Sequence, residues 1–201
     1  MTARNGPWVI RERRIAYDNP WLAVDHHEVT RPDGADGIYG VVRFANLAIG
    51  VLPLFDDGTV PLVGQHRFPF NAYSWELPEG GGAKDVPPEQ SARRELVEET
   101  GLTAAHWHHF GGCHLSNSVT DEVAYYFLAW GLTEGEATPD GDEVLGHRRV
   151  PLSALIAECL EGKITDSLTI LMVQTAILKA QAKDLPPRPT ALILDEYERS
   201  L

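Results

Sequence analysis

The order of the predicted elements indicates an α/β fold in which a mixed β-sheet is packed between α-helices. Strand-like segments lie on both sides of a strongly helical segment at about 87–100, and two more helical segments follow them. A chain of 201 residues that is 43% hydrophobic can bury one good core. We therefore expect one main domain, over 45–184, with a small N-terminal antiparallel strand region over 1–44 and a C-terminal tail over 185–201.

Apolar and β-branched runs separated by turn residues predict the strands. The predicted strands are 8–17, 21–30, 40–44, 47–54, 60–65, 107–112 and 123–129. The predicted later helices are 150–161 and 166–182, the second with Asp166 as its N-cap. Prolines end that last helix, and Ala191–Leu194 is then either an edge strand or part of a flexible tail.

Composition excludes several classes of function. The net charge of −12 repels phosphate backbones, so we expect no nucleic-acid partner. No apolar run approaches the roughly 20 residues of a membrane span, and no signal segment is evident. The two cysteines, Cys113 and Cys159, lie far apart and are interpreted as reduced thiols. We expect a cytoplasmic protein that does not act at a membrane.

The most informative segment is the helix that contains Glu95, Glu98 and Glu99. At about 100° per residue these three carboxylates share one face, whereas Ala92 and Leu96 point away toward a core. Hard oxygen ligands of this kind favour Mg²⁺, Mn²⁺ or Ca²⁺. The alternative is a solvated, Glu-rich surface helix paired with neighbouring arginines.

The residues around this helix define its ends. Asp85 is the predicted N-cap, prolines at 87 and 88 suit the first turn, and Gly101 stands where a left-handed C-cap belongs. Before it, 75–82 combines a strand-like piece with three glycines. Such glycines let backbone approach a ligand closely, and phosphate is the usual ligand.

Together these residues resemble the signature of the Nudix hydrolases, a glycine followed at fixed spacing by R-E-U-x-E-E-x-G-U, where U is aliphatic. Gly80 takes the glycine position, and Arg94–Leu102 takes the last nine positions without a gap. One position departs: Val86 stands where the family has its first glutamate. The resemblance implies the Nudix fold and a divalent metal, Mg²⁺ with Mn²⁺ possible. It places the metal on Glu95, Glu98 and Glu99, with the region of Glu79 completing the shell.

A second set of motifs resembles the ADP-ribose and nucleoside-diphosphate-sugar pyrophosphatases within that family. Gln65–Arg67 is similar to their Q-x-R element, and Glu76–Gly80 is similar to their E-L-P-x-G element. The resemblance makes Arg67 and Glu76 candidates for substrate binding. A turn at 116–122 replaces a family S-P-G-x-x-D-E element but retains Asp121 and Glu122, so Glu122 is a candidate for sugar hydroxyls.

Relatives of this kind are typically homodimers whose N-terminal strands exchange and help to build the nucleobase site. By resemblance, Trp21 or Tyr39 is a candidate for base stacking and Arg43 for phosphate binding. For each of them the alternative is ordinary packing or a solvated charge. We expect a homodimer that binds a small nucleoside diphosphate derivative.

Glu143 is the predicted catalytic base, with Asp142 next, because their acidic loop precedes a strand as the base loop does in the relatives. Glu98 has both a catalytic and a metal-binding assignment. The predicted reaction is Mg²⁺-dependent hydrolysis of ADP-ribose or a nucleotide sugar such as GDP-mannose, giving a nucleoside monophosphate and a sugar phosphate. The alternatives are a nucleotide-binding regulatory protein on a partly decayed Nudix fold, suggested by Val86, and a nucleoside triphosphate pyrophosphohydrolase.

Overall fold

The computed structural model describes residues 3–137 and 144–201, and the chain divides into two compact units. Unit 1 comprises Met1–Leu47 and Cys113–Val123, and unit 2 comprises Ala48–Gly112 and Ala124–Leu201. In the described part of the chain, no helix has the length and apolar character needed to cross a membrane.

Unit 1 is built on a four-stranded antiparallel sheet with its strands in chain order. The strands are β1 (Ala3–Asn5), β2 (Trp8–Asp18), β3 (Leu22–Thr30) and β4 (Asp36–Phe44). The Asn19 side chain makes the turn between β2 and β3, because its Oδ1 accepts the N–H groups of Trp21 and Leu22 at 2.8 and 2.9 Å. Both predicted N-terminal strands are confirmed, and β4 begins four residues earlier than predicted.

The other seven strands form two sheets, which lie mainly in unit 2. Their bounds are β5 (Asn46–Leu54), β6 (Thr59–Arg67), β7 (Ala72–Glu76), β8 (Glu79–Ala83), β9 (Thr103–His114), β10 (Val123–Thr133) and β11 (Gly146–Pro151). One sheet has the order β8-β5-β10-β9 and the other β11-β6-β7. β5 and β10 are parallel, and β6 in the other sheet is antiparallel to both of its neighbours, so the predicted α/β class with mixed pairing is confirmed, with two sheets in place of the one predicted.

Four helices complete the described fold: α1 (Pro88–Thr100), α2 (Leu152–Leu160), α3 (Ser167–Gln181) and α4 (Pro187–Arg199). A short 3₁₀ turn, Phe68–Phe70, connects β6 to β7. Asp166 caps α3 as predicted, with its Oδ2 accepting the Thr169 N–H at 2.6 Å. Leu52, Leu62 and Leu96 are fully buried, so α1 and the strands contribute to a common core.

The prediction of an edge strand or flexible tail at Ala191–Leu194 was wrong, because these residues belong to α4. Ile193 is fully buried, and the buried Glu196 carboxylate accepts the N–H and hydroxyl of Ser153 at 3.0 and 2.7 Å. α3 already ends at Gln181, and the prolines that follow start α4, since proline is well suited to a first helical turn. Through the Glu196 carboxylate, α4 caps the N-terminal end of α2.

Candidate active site

Helix α1 presents its three glutamates as the sequence predicts. Ala92 and Leu96 are fully buried on the core side of the helix, Glu95 and Glu99 are buried next to them, and Glu98 is half-buried. Gly101 ends the helix with φ 71°, and its N–H donates to the Val97 carbonyl at 2.8 Å. The predicted N-cap was wrong: Pro87, not Asp85, precedes the first turn.

The three glycines before α1 belong to strand β8 rather than to an open loop. A Cβ atom on Gly80 would lie 2.3 Å from the Glu95 carboxylate, and one on Gly82 would lie 2.8 Å from Ile49. A side chain at Gly80 would displace the Glu95 carboxylate, and one at Gly82 would meet Ile49 and Ser91, so both glycines let β8 lie close to its neighbours. The backbone of β8 therefore approaches another group closely, as predicted, but that group is the Glu95 carboxylate of α1.

Arg94 joins two of the three glutamates. Its guanidinium donates to Glu95 Oε1 at 2.5 Å, forms a short ion pair with Glu98, and donates to the Gly81 carbonyl at 2.8 Å. With Val86 in place of the family glutamate, Arg94 takes its carboxylate partners from its own helix. The adjacent carboxylates raise the pKa of Arg94 against the effect of its partial burial.

Glu99 is fixed from two other elements. Its Oε2 accepts the backbone N–H of Glu79 at 3.0 Å, and its own carbonyl contacts His147 Nε2 on β11 at 2.5 Å. Sequence analysis missed His147, which is 48 residues away and is brought here by the pairing of β11 with β6. No local motif marks it.

A second carboxylate cluster surrounds Arg67. The guanidinium forms a bidentate pair with the buried Glu76 and donates to Glu79 Oε1 at 3.1 Å. Burial, reinforced by Asp166 and Glu76, raises the pKa of the Glu79 carboxyl well above its usual value despite the nearby Arg67. Glu79 Oε2 is buried and has no hydrogen-bond partner within residues 3–137 and 144–201. More carboxylates than cations meet at this point.

The donor chemistry of these residues fits a hard divalent metal. All the candidate ligands are carboxylate oxygens, and one of them, Glu79 Oε2, is buried without a partner within the described ranges. Across those ranges, however, no three His, Cys, Asp or Glu side chains converge into a preformed metal cluster. Arg94 is ion-paired with both Glu95 and Glu98.

Four further candidates, Trp21, Tyr39, Arg43 and Glu122, lie in unit 1. Trp21 is 70% exposed, Tyr39 donates its hydroxyl to the Ser118 carbonyl at 2.6 Å, and Glu122 has its pKa raised by partial burial and by Asp121. Arg43 forms a short ion pair with Asp25 and lies 3.9 Å from Asp121. The candidates Glu143 and Asp142 lie outside the described residues.

Sequence analysis also missed Asp25, which is fully buried on β3 and holds two arginines. Arg13 Nη2 lies 2.8 Å from its Oδ2, the same atom that pairs with Arg43. Ile15 of β2 and Val41 of β4 lie opposite Asp25 in the sheet. This register brings Arg13 and Arg43 to the same carboxylate. Those registers are not visible in the sequence.

This geometry can be compared with known proteins. Residues 45–168 match the NUDIX domain, and residues 8–42 match the nucleoside diphosphate sugar hydrolase N-terminal domain. An ADP-ribose pyrophosphatase of Mycobacterium tuberculosis is 31% identical over 193 residues, which covers 89% of this chain and 91% of the relative. A GDP-mannose pyrophosphatase of Yersinia enterocolitica is 30% identical, covering 60% of this chain and 67% of the relative.

Among solved structures, an ADP compounds hydrolase matches with a TM-score of 0.77 at 17% identity, covering 87% of this chain and 94% of that one. The chain belongs to the Nudix family and is a hydrolase of phosphoric anhydrides. Nudix hydrolases generally depend on a divalent metal.

Proposed function

We propose that the protein hydrolyses the diphosphate bond of a nucleoside diphosphate linked to ribose or another sugar, with ADP-ribose and GDP-mannose as the first candidates. The products are a nucleoside monophosphate and a sugar phosphate. The observation that carries the proposal is the α1 face of Glu95, Glu98 and Glu99, held against β8 by the Glu79 N–H in a chain of this family.

Glu95, Glu98 and Glu99 would hold Mg²⁺, or Mn²⁺ in its place, and Glu79 would complete the set. The bound ion supplies charge neutralisation for the diphosphate and a lower pKa for the attacking water. The Glu79 N–H fixes the position of Glu99, and Gly80 leaves room for the Glu95 carboxylate. Glu98 is half-buried and pairs with Arg94, and it is the most accessible of the three for a catalytic role.

Arg67 and Glu76 would contact the substrate beside this face, and Trp21, Arg43 and Glu122 remain predicted substrate contacts. Glu143, with Asp142 next, remains the predicted base. A homodimer and a cytoplasmic location also remain predictions.

The test is hydrolysis of a panel containing ADP-ribose, GDP-mannose, other nucleotide sugars and nucleoside triphosphates, with Mg²⁺ or EDTA and chromatographic product analysis. Glu99→Gln keeps an oxygen acceptor for the Glu79 N–H but removes the charge. We expect at least about a 100-fold loss of kcat, since metal-centred charge stabilisation is worth several kcal/mol. The matched control is Glu89→Gln on the same helix, where an exposed carboxylate pairs with Arg93.

Three outcomes distinguish the alternatives. Metal-dependent release of nucleoside monophosphate, lost in Glu99→Gln and kept in Glu89→Gln, supports the proposal. Nucleotide binding without turnover across the panel supports the regulatory alternative, and turnover restricted to triphosphates supports the triphosphate pyrophosphohydrolase.

A further inference from the structure

The last turn of α1 contains Glu98 and Glu99, and its backbone carbonyls need partners beyond the helical repeat. Carbonyls at the C-terminal end of an α-helix have no N–H within the helix to accept. The Val97 carbonyl accepts the N–H of Gly101, whereas the Glu99 carbonyl lies 2.5 Å from His147 Nε2 on β11. Because a carbonyl can only accept, Nε2 of His147 carries the hydrogen and donates it. β11 therefore holds the backbone of a predicted metal ligand.

The ring of His147 is exposed, so packing in a core does not explain its position. Side chains on β11 alternate between exposed and partly buried, which is the pattern of a strand with one solvated face. An exposed ring gains little stabilisation from removal of apolar surface from water. The hydrogen bond to Glu99 is the contact that joins this ring to α1.

The strand that carries His147 is itself anchored. His147 lies opposite Val63 of β6, and Val63 lies opposite Glu76 of β7. Val63 and Glu76 are 1% and 2% exposed, so this row of three residues ends in the core. The imidazole is therefore attached to a fixed part of the sheet, and its bond to Glu99 fixes the end of α1 relative to that sheet.

The same row leads back to Glu99 by a second route. Glu76 pairs with Arg67, and Arg67 donates to Glu79 Oε1 at 3.1 Å. The Glu79 N–H in turn donates to Glu99 Oε2 at 3.0 Å. Glu99 is thus held at its carboxylate from β8 and at its carbonyl from β11. A ligand that outer contacts fix at both ends has less freedom to move away from an ion.

We propose that His147 is a positioning residue for the divalent metal. By donating to the Glu99 carbonyl it holds the Glu99 carboxylate in place to bind the ion, and it acts through Glu99 without being a ligand itself. This inference rests on the proposed function, which assigns the metal to Glu99. The alternative is an ordinary helix cap, which would affect stability and leave metal affinity unchanged.

Metal binding without substrate tests the inference. The EPR signal of free Mn²⁺, titrated with protein first stripped by EDTA, gives the dissociation constant. His147→Phe keeps a ring and removes the donor, and we expect Mn²⁺ binding to weaken about tenfold, as is typical when an outer contact to a metal ligand is lost. His147→Gln keeps an N–H donor at a similar reach and should stay within about twofold of the wild type.

The matched control is His106→Phe, the same substitution at an exposed histidine of β9 that stacks on Trp130. It should bind Mn²⁺ like the wild type. His147→Asn keeps a polar side chain that is too short for the bond, so it should behave like His147→Phe and carries the test if the Phe variant fails to fold. A thermal melt of each variant checks folding.

Turnover gives a second measurement. In His147→Phe we expect the Mg²⁺ concentration for half-maximal kcat to rise, with kcat recovered at high Mg²⁺ and the KM for the nucleotide sugar unchanged. Three results would overturn the inference: wild-type Mn²⁺ affinity in His147→Phe, an equal loss in His147→Gln, or no Mn²⁺ binding by the wild-type protein.

The two proposals fail in distinguishable ways. A wild-type protein that binds Mn²⁺ in a manner dependent on His147 but hydrolyses no diphosphate contradicts the proposed function and keeps the role of His147. Hydrolysis of nucleotide sugars with Mn²⁺ affinity and Mg²⁺ dependence unchanged in His147→Phe contradicts the positioning role alone.

Discussion

The two units contain arginine–carboxylate clusters of opposite composition. In unit 1 one buried carboxylate, Asp25, is held by two half-exposed arginines, Arg13 and Arg43. In unit 2 one arginine, Arg67, is held by Glu76 and Glu79, with Asp166 also close enough to raise its pKa. The first cluster has enough positive charge for its buried acid, and the second does not.

The pKa values follow this difference. Burial raises the pKa of Asp25, but the bonds and charges of Arg43 and Arg13 outweigh it and lower the pKa overall. At Glu79, burial and the neighbouring Asp166 and Glu76 outweigh Arg67 and raise the pKa. In a carboxylate cluster with compensating arginines, loss of one partner leaves a buried charge and destabilises the fold, whereas a cluster with surplus negative charge suits a metal.

The largest expected loss of stability is in unit 2. Arg67→Ala leaves the buried Glu76 without its cation, and removing one partner of a buried pair typically costs about 3–5 kcal/mol. Because Arg67 is 36% exposed, we expect about 3 kcal/mol. Urea titration with hydrogen exchange on β6 and β7 peptides measures the loss. Arg93→Ala, which removes an exposed pair with Glu89, should cost no more than about 0.5 kcal/mol. If the two variants lost equal free energy of unfolding, burial of the carboxylate partner would not explain the cost of removing Arg67.

The second largest expected loss of stability is in unit 1. Asp25→Asn removes the charge that holds both arginines while keeping the size of the side chain. We expect about 1–3 kcal/mol of destabilisation, the cost of impaired hydrogen bonding at a buried site. Exchange protection of β3 peptides is the measurement. Full protection in the variant would mean that the arginines are held by other contacts.

Low pH should destabilise the same cluster of Asp25 with Arg13 and Arg43. Because the native pKa of Asp25 is lowered, its contribution is complete above the ordinary aspartate value of about 3.9 and is lost as the pH falls through the lower native value. We therefore expect β3 peptides to lose protection below about pH 4. The acid-dependent loss should be smaller in Asp25→Asn, and an identical pH profile in the two proteins would exclude Asp25 as its source.

The smallest effect distinguishes the two clusters most directly. Arg13→Ala leaves Arg43 on Asp25, and Arg13 is 51% exposed, so we expect less than about 1 kcal/mol. The same urea and exchange measurement on β3 tests it. A loss as large as that of Arg67→Ala would show that the cluster in unit 1 has no spare positive charge.

Several elements could be predicted because their determinants are local. The ends of α1 and α3 follow from Gly101 and Asp166, which act on backbone groups within their own turns. The shared face of Glu95, Glu98 and Glu99 follows from the helical repeat. The C-terminal helix was missed because Leu185–Pro189 was interpreted as a stop, and the burial of Ile193 and Glu196 depends on distant residues.

The family signature, the carboxylate face of α1 and the alternation of strands and helices could all be predicted, since spacing along the chain is enough to define each of them. The contacts of these residues depend on the folded chain: Gly80 against Glu95, His147 against Glu99, and Asp25 between two arginines. Sheet register and the packing of helices on sheets set these contacts, and both depend on pairs of residues far apart in the chain.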